Sequence, residues 1–99
     1  MSYLVQMLLP TTPTRRSRVN LETVKNELTA LFGGVTMHLD APAEGLWRDD
    51  GETEHDRIVV VEVMSDDVDR AWWAGYRVEL QARFRQDEIV VRLLPMERL

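Results

Sequence analysis

The chain has 99 residues, 17 acids, 12 bases, a net charge of −5 and no cysteine. Surface scaling gives about 65 % of the unfolded surface buried, which is one core and one domain over residues 1–99. The acidic balance excludes a general nucleic-acid or anionic-membrane binder, and the lack of cysteine excludes disulfides, zinc fingers and iron–sulfur ligation.

Tyr3–Leu9 is a short apolar run closed by Pro10, and reads as a buried strand. Met1–Pro10 has neither a basic start nor a small-residue cleavage site, and an apolar run this short cannot span a bilayer, so the expected compartment is the cytoplasm. Thr11 to Arg18 is polar, broken by Pro13, and reads as a loop carrying Arg15, Arg16 and Arg18. Asn20 is an expected N-cap. Leu21, Val24, Leu28, Leu31 and Phe32 then fall on one helical face, and Gly33-Gly34 ends the helix. Val35–Leu39 alternates as a half-buried strand. Gly45–Arg48 is extended, Asp49-Asp50-Gly51 is a hairpin turn, and Ile58–Met64 is a β-branched strand. Ser65 or Asp66 is expected to cap a second helix over Asp66–Arg85, with an Asp66–Arg70 pair one turn apart. Ile89–Leu94 is the last strand, ended by Pro95.

The order β-α-β-β-α-β predicts an α+β, ferredoxin-like fold. It has a four-stranded antiparallel sheet, two helices on one face and a long hairpin between strands 2 and 3. Strand parity then sorts the side chains. Val59, Val61 and Val63 form a wholly apolar face, placed under the helices. The opposite face carries Leu4, Leu8, Ile58, Val60, Met64, Val90 and Leu94, with one polar residue per strand: Gln6, His38, Glu62 and Arg92. An apolar face of that size asks for a cover. A charged pair within it asks for a reason, because its desolvation costs several kcal/mol unless matched.

Two readings of that face follow. In the first, the chain homodimerises sheet to sheet and the polar groups fix the register. In the second, the sheets enclose a small-molecule cavity in which Glu62, His38 and Arg92 are the candidate catalytic groups. The candidate ligand-binding residues are then Gln6, His38, Glu62, Arg92, Trp72, Trp73 and Tyr76. Glu62 is the foremost candidate for a perturbed pKa, since burial raises a carboxyl and an arginine partner lowers it. In a dry cavity it would serve as a base near pH 7. The aromatics Trp72, Trp73, Tyr76 and Phe84 share one stripe of the second helix, where core packing is the plain alternative to ligand stacking. His38 and Asp40, with His55 and Asp56 across the hairpin, have no metal-site spacing. No metal or cofactor is expected. Phosphate-loop, serine-nucleophile and zinc-helix motifs are absent.

Phe32-Gly33-Gly34-Val35-Thr36, Ala43-Glu44-Gly45-Leu46-Trp47, Asp49-Asp50-Gly51, the run from Asp56 to Met64, and Trp72-Trp73-Ala74-Gly75-Tyr76-Arg77 together resemble a family of uncharacterised bacterial proteins of about one hundred residues. The resemblance implies a compact bacterial domain and assigns no reaction. The functional expectation is an uncharacterised, non-enzymatic binding or assembly module that homodimerises through its open sheet face. The alternative is a small-molecule enzyme of the dimeric α+β barrel kind. The charge is uneven: Met1–Leu39 carries +2, Asp40–Asp69 carries −9 and Arg70–Leu99 carries +2. The acidic segment 40–57 is expected either to keep the hairpin soluble or to meet a basic partner.

Overall fold

The computed structural model describes residues 2–39, 43–49 and 52–99, and side chains over 2–39 and 57–99. The elements are β1 (Ser2–Thr11), α1 (Arg15–Phe32), β2 (Thr36–Met37), β3 (Ala43–Asp49), β4 (Glu52–Ser65), α2 (Arg70–Arg83) and β5 (Val91–Met96). The fold is α+β and ferredoxin-like, with an antiparallel sheet ordered β2-β4-β1-β5. Strand β3 also pairs with β4, on the same side as β2 but further along. The expected strand Val35–Leu39 is shortened to β2, and the extended run expected at Gly45–Arg48 is β3. Beyond Thr11–Arg57 the β3–β4 arm runs past the end of β1. The predicted turn at residues 50 and 51 lies outside the described residues, as do Asp40 and the side chains of Trp47, His55 and Asp56.

Parity builds the core as expected. Val5, Met7 and Leu9 of β1 and Val59, Val61 and Val63 of β4 are all buried. Leu21, Val24 and Leu28 of α1 and Trp73, Tyr76 and Leu80 of α2 close over them. Each such side chain contributes roughly 1.5–3 kcal/mol on burial.

The helix starts differ from expectation. Thr14, not Asn20, caps α1: its side-chain oxygen accepts the Ser17 backbone N–H at 3.2 Å. The helix therefore takes in Arg15, Arg16 and Arg18, in place of the expected loop. Asn20 instead donates to the Arg83 carbonyl at 3.3 Å, tying α1 to α2. At the other end Gly33 takes φ 81° and its N–H reaches the Thr29 carbonyl at 2.9 Å, the expected glycine stop. Helix α2 starts at Arg70, with Asp69 accepting the Trp72 N–H at 3.0 Å. Asp66 is drawn off by the Ser2 hydroxyl at 2.7 Å, so the expected Asp66–Arg70 pair is replaced by a tether between the sheet and the approach to α2.

The end of α2 is a Schellman closure built on a non-glycine residue. Gln86 N–H bonds the Gln81 carbonyl at 2.9 Å and Arg85 N–H the Ala82 carbonyl at 3.3 Å. Arg85 takes φ 55° to allow it. Strand β5 continues through Pro95 rather than ending before it. Leu8 N–H bonds the Val90 carbonyl, so Val90, Arg92 and Leu94 bond inward to β1 while Val91, Leu93 and Pro95 point their backbone outward. A proline on the outer edge has no N–H to lose.

The helices are also tied by an ionised cluster that local sequence reading misses. Glu27 of α1 accepts from the Arg83 guanidinium and, at 3.0 Å, from the Tyr76 hydroxyl. The Arg83 hydrogen bond holds the Glu27 carboxyl below the usual carboxylate range, against the opposing effect of burial. Burial first, and the neighbouring Glu27 second, push the Tyr76 phenol up. A tyrosine on an apolar stripe needs a hydroxyl partner. That requirement is the signal a sequence offers for such a cluster.

Replacing Arg85 by glycine removes the left-handed strain and no described side-chain hydrogen bond. Stability should rise by about 0.5–1 kcal/mol, and the thermal midpoint by a few degrees; a lower midpoint would contradict the Schellman reading. Glu27→Gln should cost about 1 kcal/mol at pH 7, the charged hydrogen-bond range discounted because the Glu27 side chain is 36 % exposed. Because the folded-state pKa is lowered, the contribution is present above the ordinary value of 4.5 and is lost as pH falls through the folded one. Denaturant midpoints of the two proteins should converge as pH falls below 4.5 and through the lowered folded-state value.

Candidate functional site

The candidate site is built by strand register. Cα pairing sets Gln6 of β1 opposite Glu62 of β4 on one side and opposite Arg92 of β5 on the other. His38 follows β2, its N–H bonded to the Val60 carbonyl at 3.0 Å. Arg92, Gln6 and Glu62 therefore stand in one row across β5, β1 and β4 on the face away from the helices, and His38, just past β2 and diagonal to Glu62, extends it.

They are joined end to end. The Arg92 Nε–H donates to Gln6 Oε1 at 2.7 Å. The Gln6 amide Nε2 donates to Glu62 Oε2 at 2.7 Å. His38 Nε2 lies 2.8 Å from Glu62 Oε1. The order is chemically forced: arginine only donates and a carboxylate only accepts, so the amide between them presents oxygen to one and nitrogen to the other. The direct Glu62–Arg92 ion pair that the charges suggest is replaced by this relay through Gln6.

Glu62 corrects a second expectation. Its carboxyl is held below the usual range, first by the Gln6 hydrogen bond and then by the His38 one, with desolvation acting the other way. It is an ionised acceptor at neutral pH, not a base poised near 7. Its side chain is 19 % exposed and that of His38 45 %. The apolar frame around the row is partly open, with Met64 at 52 % and Val90 at 43 % exposed. Clefts of about 550, 230 and 230 Å3 are lined without Gln6, His38 or Glu62.

The three aromatic candidates are not brought to this row. Trp73 and Tyr76 are buried between α2 and the sheet. Trp73 stacks on Phe32 with centroids 5.2 Å apart, and Trp72 stacks on Tyr76 at 4.9 Å. The stripe is core packing on the opposite side of the sheet. No group of three or more potential metal-ligating side chains occurs among the described residues.

No family model matches the chain, and no curated protein matches it. Solved structures do. The chain is similar to the divalent cation tolerance protein CutA1 of Thermus thermophilus, with a TM-score of 0.67 and 16 % identity over 99 % of this chain and 86 % of that one. It is similar to the divalent ion tolerance protein CutA1 of Ehrlichia chaffeensis, with a TM-score of 0.66 and 10 % identity over 99 % and 83 %. A third is the protein described as the periplasmic divalent cation tolerance protein CutA of Archaeoglobus fulgidus, at 0.62 and 15 % over 99 % and 86 %. These likenesses establish the fold.

They also correct the resemblance drawn from sequence. The similar structures carry the name of a characterised family, so neither the uncharacterised bacterial family nor the uncharacterised module stands. The motifs behind that resemblance include structural punctuation: Gly33 is a helix stop at φ 81°, which any chain of this topology can use.

The row makes a prediction of its own. Gln6→Leu removes the largest influence lowering the Glu62 pKa. The Glu62 titration midpoint, followed by carboxyl NMR, should move up toward the ordinary range, with a stability cost of about 1–2 kcal/mol. An unmoved midpoint would show that the relay does not hold the charge.

Proposed function

We propose that this chain acts in divalent cation tolerance, as its CutA1 structural neighbours are named for doing, and that it works as a homo-oligomer in the cytoplasm. The observation that carries the reading is the extent of the likeness: structures bearing that name each align over 99 % of this chain. Fold alone hosts many functions, so the assignment rests on extent together with the shared name. One core cluster joins both helices to the sheet, which supports residues 1–99 working as one domain.

Self-association is supported by the open sheet face. Ile58, Val60, Met64, Val90 and Leu94 frame the polar row, and Met64, Val90 and Leu94 are exposed large apolar side chains. A second copy covering them removes that surface from water. In this reading Gln6, His38, Glu62 and Arg92 set the register of the copies rather than act on a substrate; two copies are the smallest such assembly. The apolar segment Ser2–Thr11 is part of the folded core, paired with both β4 and β5. No helix of the described residues is long and apolar enough to cross a membrane.

The test is complementation. Expressed in a bacterium lacking its own CutA1-type protein, the chain should restore growth under a panel of Mn2+, Co2+, Ni2+, Cu2+ and Zn2+, with native mass spectrometry of the same preparation giving a homo-oligomer. Growth unchanged with every cation would overturn the tolerance reading, and a monomer would overturn the self-association.

A further inference from the structure

A different cleft lies on the helical side of the sheet, between α2 and the outer strand β5. It holds about 230 Å3, with Val5, Trp73, Val91 and Leu93 as its apolar floor. Ala74 leaves space in its wall, and Arg70 and Arg77 stand on either side of Ala74 along α2. Positions 70, 74 and 77 share one helix face, and the two arginines are roughly 10 Å apart along the axis.

The charge of this cleft is unusual for a chain of net charge −5. The 550 Å3 cleft carries Glu97 beside Arg98. The cleft between α1 and β2 carries Glu22, paired to Lys25 at 2.9 Å. The α2–β5 cleft is lined by arginines and by no carboxylate. Among the described residues no carboxylate lies within ion-pair distance of Arg70 or Arg77. Of the three acids just before Arg70, Asp66 is engaged by Ser2 and Asp69 by the Trp72 N–H, and Asp67 makes no ion pair with Arg70. Arg77 is held in place: its Nη1 donates at 3.0 Å to the Gln81 side-chain oxygen, which also accepts the Ile89 N–H at 3.2 Å. Arg92 lines the cleft as well, but its Nε is bound to Gln6 on the other face. Outward-pointing N–H groups of Val91 and Leu93 add two neutral donors at the edge of β5, since those positions do not bond to β1.

We propose that the α2–β5 cleft binds a small organic anion, a carboxylate on an apolar body, with the carboxylate between Arg70 and Arg77 and the body over Val91, Leu93 and the edge of Trp73. Planar guanidinium groups match carboxylate geometry, and a charged hydrogen bond at the rim of an apolar floor is stronger than one in open water. The space equals that of about seven or eight waters at roughly 30 Å3 each, which suits a compact acid and excludes a nucleotide. The site shares no residue with the self-association row except Arg92, whose charged end serves that row.

The experiment is an amide NMR titration of the whole chain with benzoate, using benzamide as the neutral analogue of the same shape. Benzoate should give saturable shifts at Ala74, Val91 and Leu93, and benzamide at least about tenfold weaker binding. Arg70→Ala and Arg77→Gln should each weaken benzoate about tenfold, whereas Arg16→Ala, an exposed arginine on α1, should not. Arg70 is exposed at the first position of α2, so its loss leaves the fold intact and keeps the test decisive. Non-saturating shifts, equal binding of benzamide, or benzoate affinity indifferent to both variants would each overturn the proposal.

Discussion

Strand β1 sits between β4 and β5, and its register against both fixes nearly everything else in the molecule. Its odd positions Val5, Met7 and Leu9 are buried with Val59, Val61 and Val63. Its even position Gln6 meets Glu62 and Arg92 on the other face. A slip of one residue would carry three large side chains out of the core and put an amide in their place. Burial of those chains is worth roughly 1.5–3 kcal/mol each, against about 1 kcal/mol for a typical hydrogen bond of the polar row. The apolar parity therefore selects the register. The polar row reinforces it, because Arg92, Gln6 and Glu62 find one another only when every pairing is right. Helix α2 depends on the same choice, since Trp73, Tyr76 and Leu80 need the valine face of β4 beneath them.

The same dependence decides which parts of the molecule can be read from sequence. Parity is a property of each strand alone, so the core face, the open face and the four residues of the row are all visible in the alternation. The strand order then follows from the topology. Helix starts are not visible in the same way. Three aspartates, 66, 67 and 69, are all competent caps; Ser2, sixty-four positions before Asp66, takes that one, and Asp69 is the one that caps. At α1, three arginines near a helix N-terminus oppose the dipole, and Pro13 reads as loop. The Thr14–Ser17 cap outweighs both. Pro95 reads as a strand stop until the pairing phase shows its nitrogen facing outward.

The Glu62 expectation fails for a related reason. Burial and partnering act on a carboxyl in opposite directions. Sequence shows that a glutamate lies in a valine-rich strand, which suggests burial. It does not show that an amide and an imidazole both reach the carboxylate, and those hydrogen bonds win. The Glu27–Arg83–Tyr76 cluster escapes local reading because its members lie on two helices, while Glu79, one turn before Arg83, offers a local partner that the structure places at the long distance of 3.5 Å. In both cases the decisive contact is non-local.

The similar structures share 10–16 % identity with this chain across the three compared. At that level the likeness shows the fold, and surface chemistry is free to differ. The two sides of this sheet show how far it can differ within one chain. On the open face a cation and an anion are joined through an amide, so the row carries little net charge and can be covered by another copy without stranding a bare ion. On the helical side, beside β5, Arg70 and Arg77 have no acid among the described residues to neutralise them. A neutral, partly apolar face is suited to a protein surface, and an uncompensated basic cleft to a small anion. Both follow from which carboxylates the fold engages internally: Glu62 is bound by Gln6 and His38 and Asp66 by Ser2, and neither reaches Arg70.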